Sequence, residues 1–160
     1  MTSFAKFDKD LQEAEKKFAR QAKLFVDKVA LDLYRNIAAD ARNVSGFGSP
    51  VWSGRFLASH RVSVNNINDS VAGPNPAFDN INWPDSGGKT LRPRSLSSVS
   101  NILRLSKLGD TIFISNSLDY AQFLEKGGSR TQAPNGIYRV AVEKTKIKFK
   151  NITIKKQAIG

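Results

Sequence analysis

Residues 109–127 read GDTIFISNSLDYAQFLEKG, and the change of period inside this stretch decides the fold class. Gly109-Asp110 opens a strand, Thr111-Ile112-Phe113-Ile114-Ser115-Asn116, rich in the β-branched and aromatic types that suit a pleated surface. Asp119 then stands where a side-chain oxygen can cap a short helix, Tyr120-Ala121-Gln122-Phe123-Leu124-Glu125. Gly127-Gly128 stops that helix. Tyr120 and Leu124 lie four apart on one helix face, and core packing accounts for the pair.

Downstream, Ala133-Pro134-Asn135-Gly136 is a shaped loop before an amphipathic stretch from Ile137 to Lys144. The period then changes to two: Lys144, Lys146, Lys148 and Lys150 alternate with Thr145, Ile147 and Phe149. This pattern, continued by Ile152-Thr153-Ile154 and Lys155-Lys156, predicts a basic edge strand or arm over residues 146–160. Lysines on such an edge discourage random strand pairing and leave the backbone open to a chosen neighbour.

Upstream, Ser95 or Ser97 caps a helix predicted over 95–107, with Leu96, Val99, Ile102 and Leu103 on one face. Residues 66–94 form a long Asn-, Asp-, Gly-, Pro- and Ser-rich loop. Phe78 and Trp83 within it point to an ordered contact, since loops of this length in compact domains carry function or are disordered. Arg61-Val62-Ser63-Val64-Asn65 alternates as a strand. Ser53-Gly54-Arg55-Phe56-Leu57-Ala58-Ser59-His60, a turn or short helix, leads into it, and Gly54 permits a turn that a β-carbon would hinder.

The first forty-odd residues read as one amphipathic helix over 3–43, with apolar residues at Phe4, Phe7, Leu11, Ala14, Phe18, Ala22, Phe25, Val29, Leu33, Ile37 and Ala41. Ser45-Gly46-Phe47-Gly48-Ser49-Pro50 breaks it. A helix of ~40 residues is ~60 Å long and exceeds the width of a compact domain of this size. Part of it should project, bend or pack on another chain, for which the early spacing 4-7-11-14-18 is heptad-like; the alternative is a single long helix lying across its own sheet. The predicted fold class is therefore α+β: a long N-terminal helix packed on a small antiparallel sheet, with short helices. Residues 1–145 form a single domain in this reading, and 146–160 the basic arm.

The chain has 160 residues, with 25 Lys and Arg against 14 Asp and Glu, for a formal charge of +11. That balance implies a polyanionic neighbour, either nucleic acid or an acidic protein surface. There is no cysteine, so disulfides, thiolate metal sites and Cys nucleophiles are excluded. No apolar run approaches the ~20 residues that span a bilayer, and Met1-Thr2-Ser3-Phe4-Ala5-Lys6 lacks the apolar core of a secretory signal. The expected setting is a cytoplasm, or a particle assembled there, with no membrane partner.

Enzymatic chemistry finds little support. His60 is the one histidine, and a lone histidine is more often structural than catalytic. No acidic partner is indicated for Ser59-His60, and triads form in space rather than in sequence. Asp79, Asp85, Asp110, Asp119 and Glu125 show no metal-ligand spacing. Gly87-Gly88-Lys89-Thr90 lacks the first glycine of a phosphate loop, and no strand precedes it. No catalytic residue, metal or cofactor is expected. The stronger rival is a basic nucleic-acid-binding module, since residues 137–160 hold Arg139, Lys144, Lys146, Lys148, Lys150, Lys155 and Lys156 against Glu143 alone. Apart from Phe149, that segment lacks stacking aromatics among its lysines.

Two blocks of sequence resemble the tail-completion and head–tail joining proteins of long-tailed bacteriophages, the minor tail protein Z-like group. The first is Ser49-Pro50-Val51-Trp52-Ser53-Gly54-Arg55-Phe56-Leu57-Ala58-Ser59-His60. It is similar to a family pattern T-P-V-D-T-G-R-L-R-A-S-W, with Trp52-Ser53 departing from D-T and His60 replacing the aromatic. The second runs from Gly109 through Tyr120-Ala121-Gln122-Phe123-Leu124-Glu125-Lys126-Gly127 to Ser129-Arg130 and Gln132-Ala133-Pro134-Asn135-Gly136. It is similar to N-x-x-P-Y-A-x-x-L-E-x-G followed by S-x-Q-A-P-x-G, with Asp119 where proline is usual. With the long helix before them, these features cover about two-thirds of the chain. The 66–94 loop and the Lys-alternating C-terminus lie outside the resemblance.

The resemblance implies a structural virion protein of the neck, at the head-proximal end of the tail. It would complete the tail and join it to the head connector as a homo-oligomeric ring, a hexamer by likeness. The implied partners are the tail tube and connector proteins, with viral DNA passing nearby without sequence recognition. Candidate subunit or partner contacts are Arg55, Trp52, Trp83, Glu125, Arg130, Lys146, Lys148 and Lys150. Arg55, the fixed charge at its turn, is suited to fork onto a carboxylate such as Glu125 in the same or the next subunit.

Overall fold

The computed structural model describes residues 3–73 and 91–152. In chain order the elements are α1 (Ser3–Ile37), α2 (Arg55–Ala58), β1 (Arg61–Val64), α3 (Leu96–Leu105), β2 (Ile112–Ser115), α4 (Ala121–Glu125) and α5 (Tyr138–Phe149). The architecture is α+β. Two strands pair antiparallel in the register Arg61↔Ser115 to Val64↔Ile112, and helices pack around them.

At 35 residues α1 is about 52 Å long. It ends six residues before the predicted stop at 43, and Ser49 explains why. The Ser49 hydroxyl donates to the Ile37 carbonyl at 2.7 Å, and the Ser49 amide donates to Ala39 O at 2.7 Å. The returning loop thus satisfies carbonyls that a helix end leaves open.

Among the described residues, it is the C-terminal half of α1 that meets the rest of the fold, and none before Ala30 is buried. The first tertiary contacts are Lys23, whose ammonium reaches Leu103 O at 2.9 Å, and Phe25, which meets the Phe149 ring edge-on at 5.8 Å. Beyond these, the amphipathic face divides between two clusters. Ala30 and Tyr34 pack with Val62, Val99 and Leu103. Ile37 packs with Phe56, Leu118, Ala133, Ile137 and Ala141. Ile114 of β2 touches both clusters and joins them into one core. Each large apolar side chain fully buried there contributes roughly 1.5–3 kcal/mol.

The strands and α3 form where the sequence places them. Ser95 caps α3 by accepting the Ser98 amide at 3.1 Å. The C-terminal region does not follow the sequence reading. Residues 146–149 are helical, the last turn of α5, rather than an extended strand or arm. The buried residues of α5 are Ala141, Thr145 and Phe149, a row at intervals of four that seats the helix on α1. The alternating lysines share the sequence with this four-residue row, and burial of the row decides the conformation. Residues 153–160 of the expected arm lie outside the described residues, as do Phe78 and Trp83.

Asp119 does not cap α4. Tyr120 occupies the N-cap position, with no side-chain hydrogen bond to the helix. No helix among the described residues is long and apolar enough to cross a membrane.

Candidate functional site

The two motif-bearing blocks fold against each other. The Val51 amide donates to Gln132 Oε1 at 2.7 Å, and Gln132 Nε2 donates back to Val51 O at 3.4 Å. Asn116 Nδ2 donates to Phe56 O at 2.9 Å, and the Phe56 and Tyr120 rings lie 6.2 Å apart. Gln132 and Asn116 carry both donor and acceptor, so each stitches a loop without leaving a buried partner unmet.

Glu125 is the hinge of this junction. Its carboxylate accepts the backbone N–H groups of Ile137 and Tyr138 at 2.8 Å and of Arg139 at 3.0 Å. These are the orphan donors at the start of α5, where the helix dipole favours negative charge. The glycines on either side allow the approach. A β-carbon on Gly127 would sit 2.4 Å from Pro134 O, and one on Gly136 would sit 2.4 Å from Glu125 O. Both residues have positive φ. The L-E-x-G and A-P-x-G motifs therefore describe one close contact, seen from its two sides.

The Arg55–Glu125 fork does not form within the chain. Glu125 is committed to α5, and Arg55 Nε donates to Ala72 O at 3.3 Å instead. Arg55 follows Gly54, whose φ of 78° makes the turn into α2. The Ser59 hydroxyl, accepting from the Ala72 amide at 2.9 Å, holds the same segment down.

His60 lies at the centre of the molecule, with no exposure. Its Nε2 is 2.7 Å from Ser49 Oγ, and its Nδ1 is 2.9 Å from the Tyr138 hydroxyl. Ser49 spends its only proton on Ile37 O, so it accepts from Nε2–H. Tyr138 then donates to an unprotonated Nδ1. Burial, reinforced by the nearby Arg61 guanidinium, lowers the imidazole pKa to about 3. Burial likewise raises that of Tyr138, and the charge of Glu125 adds to it. This is a neutral histidine that ties the loop after α1 to α5, and both ring nitrogens are engaged.

Of the remaining described candidates, most face outward, one pairs locally and one pairs across to α1. Trp52 is 58% exposed, and Arg130 and Lys150 are exposed. Lys146 pairs with Glu143 at 3.0 Å on the surface of α5. Lys148, itself exposed, reaches across to α1 and forms an ion pair with the buried carboxylate of Asp32. The Asn36 amide bridges Asp32 to Thr145, at 3.4 and 3.1 Å. Sequence reasoning missed this polar seam; its signal is the i,i+4 pair Asp32 and Asn36 facing Thr145. Lys144 lies 3.6 Å over the Phe47 ring.

Beside the seam, an apolar trough runs along α1. Phe25, Val29 and Leu33 form its floor and belong to both of its adjoining parts. One part, of 540 Å³, is walled by α5 through Val142, Ile147 and Phe149, with Glu143, Lys146 and Lys150 also lining it. The other, of 360 Å³, is walled by Ile112 and Ile114 of β2 and by Tyr138. No group of three His, Asp or Glu side chains able to hold a metal occurs among the described residues.

Comparison with protein-family models, curated proteins and solved structures finds no match for this chain.

Proposed function

We propose that this chain is a structural protein of a tailed bacteriophage particle. In this reading it completes the tail and joins it to the head connector, as a homo-oligomeric ring in the neck. The observation that carries the reading is the ordered pair of motif blocks, P-V-x-x-G-R and then Y-A-x-x-L-E-x-G with Q-A-P-x-G. Their contacts give the motif residues a shared purpose: Val51 with Gln132, Phe56 with Tyr120, and Glu125 with the loop that Gly136 ends. Such a junction serves to fix a rigid shape, which is what a joining protein contributes.

No catalysis is part of the proposal, because His60 is sealed in the core with both ring nitrogens occupied. Assembly is the mechanism. One face of the ring meets the tail tube, the other meets the connector, and DNA passes through without sequence recognition. The projecting half of α1, the apolar trough and the exposed Trp52 supply surface for such contacts. An affinity tag on the protein, located by electron microscopy of finished particles, tests the position. A label at the head–tail junction is expected, and a label elsewhere, or none on the particle, overturns it.

A second reading, a nucleic-acid-binding module, is favoured by α5 and the residue after it. Residues 138–150 carry Arg139, Lys144, Lys146, Lys148 and Lys150 against Glu143. Lys148 is already paired with Asp32, and Lys146 with Glu143, which weakens the row as a phosphate track.

A further inference from the structure

We infer that the exposed apolar stripe on the N-terminal half of α1 docks, head to tail, into the apolar trough of a second copy of this chain. The inference deepens the ring reading and rests on it for a closed assembly, while the contact itself follows from the two surfaces.

The stripe is Phe4, Phe7, Leu11 and Phe18, exposed by 79, 62, 47 and 57%. A phenylalanine side chain has roughly 200 Å² to bury, so the three rings alone leave about 400 Å² of apolar surface in one row. Monomeric proteins rarely show a patch of that size unless something covers it. Among the described residues the stripe also lacks tertiary support, since the first side chains of α1 with a long-range hydrogen bond or ring contact are Lys23 and Phe25. Isolated helices of that length are marginal in water, so a partner would hold this half in shape.

The trough has complementary shape and chemistry. Its floor, Phe25-Val29-Leu33, is a helical ridge at intervals of four, flanked by α5 and β2. An open apolar channel between a helix and a strand accepts the face of another helix, in the helix-in-groove mode. Its polar groups, Glu143, Thr145, Lys146 and Lys150, all lie on the α5 side, and the β2 side is apolar but for Tyr138, so the trough suits an amphipathic helix better than a small molecule. The chain's own stripe cannot fill it, because stripe and floor lie on the same continuous helix.

Charge selects a second copy as the occupant. Residues 8–15 at the middle of the stripe, DKDLQEAE, hold Asp8, Asp10, Glu13 and Glu15 against Lys9, a net of −3, and Lys6, Lys16 and Lys17 flank this window and bring residues 4–18 as a whole to zero. Residues 138–150, which wall the trough, hold five basic residues against Glu143, a net of +4, of which Lys148 is paired with Asp32 of α1 and Lys146 with Glu143. Lys146 and Lys150 line the trough itself. In a chain of formal charge +11, this acidic window runs against the overall balance, and opposite potentials fix register in such contacts. Because stripe and trough are different surfaces, the contact is heterologous, the type that generates rings.

The absence of cysteine makes the test direct. Phe7→Cys, Leu11→Cys and Phe18→Cys each lie on the unsupported half of α1, and Ile147→Cys lies on the trough wall at an exposed position. Each stripe variant is mixed with the trough variant at high protein concentration and oxidised, and the products are resolved on non-reducing gels. At least one mixture should give a stripe–trough dimer well above the self-linked dimer of either variant alone. Adding Lys146→Glu and Lys150→Glu to the trough variant should cut its yield several-fold.

Stripe variants that link mainly to themselves would mean that two α1 helices pair with each other, and would overturn the inference. No linkage in any mixture, with helical content intact by circular dichroism, would overturn it too. The phage reading is judged separately, on particles lacking the protein. If those particles fail to join while no stripe–trough link forms, only the docking mode falls. If the link forms while particles are normal, the neck reading falls.

Discussion

The carboxylate of Glu125 accepts the backbone N–H of Ile137 at 2.8 Å and so fixes where α5 begins. The Tyr138 and Arg139 amides share the same acceptor, at 2.8 and 3.0 Å. Glu125→Ala leaves these donors unpaired at a helix terminus. By analogy with lost N-caps it should destabilise the fold by about 1–2 kcal/mol, and Glu125→Gln by less. Urea unfolding followed by circular dichroism measures this. An unchanged midpoint for both variants would contradict the assigned role.

His60 gives the fold a pH dependence of defined sign. Its folded pKa is lowered from 6.5 to about 3, so between these values the unfolded chain binds a proton that the folded chain refuses. Stability is therefore full above pH 6.5 and falls as the pH drops, with a limiting slope of about 1.4 kcal/mol per unit. Unfolding at pH 7.5, 6 and 5 reads the slope, and the window lies above the range in which ordinary carboxylates titrate. A flat profile would mean that the imidazole is not sealed in the neutral form.

The helical end of α5 makes its own prediction. Phe149 is 9% exposed and packs edge-on against Phe25. Phe149→Ala should destabilise the domain by about 3 kcal/mol, the lower part of the range for a buried aromatic, because the site lies at the end of the core. A residue on a free strand or arm would tolerate the change within ~0.5 kcal/mol.

Much of this fold is legible in the sequence, and the misreadings have physical causes. The long helix, both strands and the Ser95-capped helix follow from period and capping, because each reaches its conformation through local signals. The end of α1 does not, because Ser49, twelve residues downstream of Ile37, supplies the terminating bonds. The segment from Lys144 to Lys150 carries two periods at once. The lysines alternate by two, while Ala141, Thr145 and Phe149 recur by four, and only packing against α1 decides between them.

At the motif-bearing junction, the sequence singles out Gly54, Glu125 and Gly136 without showing whom they meet. Glu125 turns to the α5 amides rather than to Arg55, since three backbone donors converge on it. The Asp32–Lys148 pair and the trough were illegible, because each joins residues about a hundred positions apart.

Salt separates the two functional readings. Electrostatic contact with passing DNA predicts weak duplex binding that falls steeply between 50 and 200 mM salt and does not depend on sequence. Lys144→Gln, Lys146→Gln and Lys150→Gln together should reduce the salt slope by no more than about three contacts. Sequence-dependent binding that stays tight at ~200 mM salt would favour a DNA reader over a neck ring.

Removal of the protein from a phage assembly tests the central claim most directly. Electron microscopy of the particles should then show filled heads and finished tails lying apart, with joining restored when the purified protein is added. Normal, joined and infectious particles made without it would contradict the account.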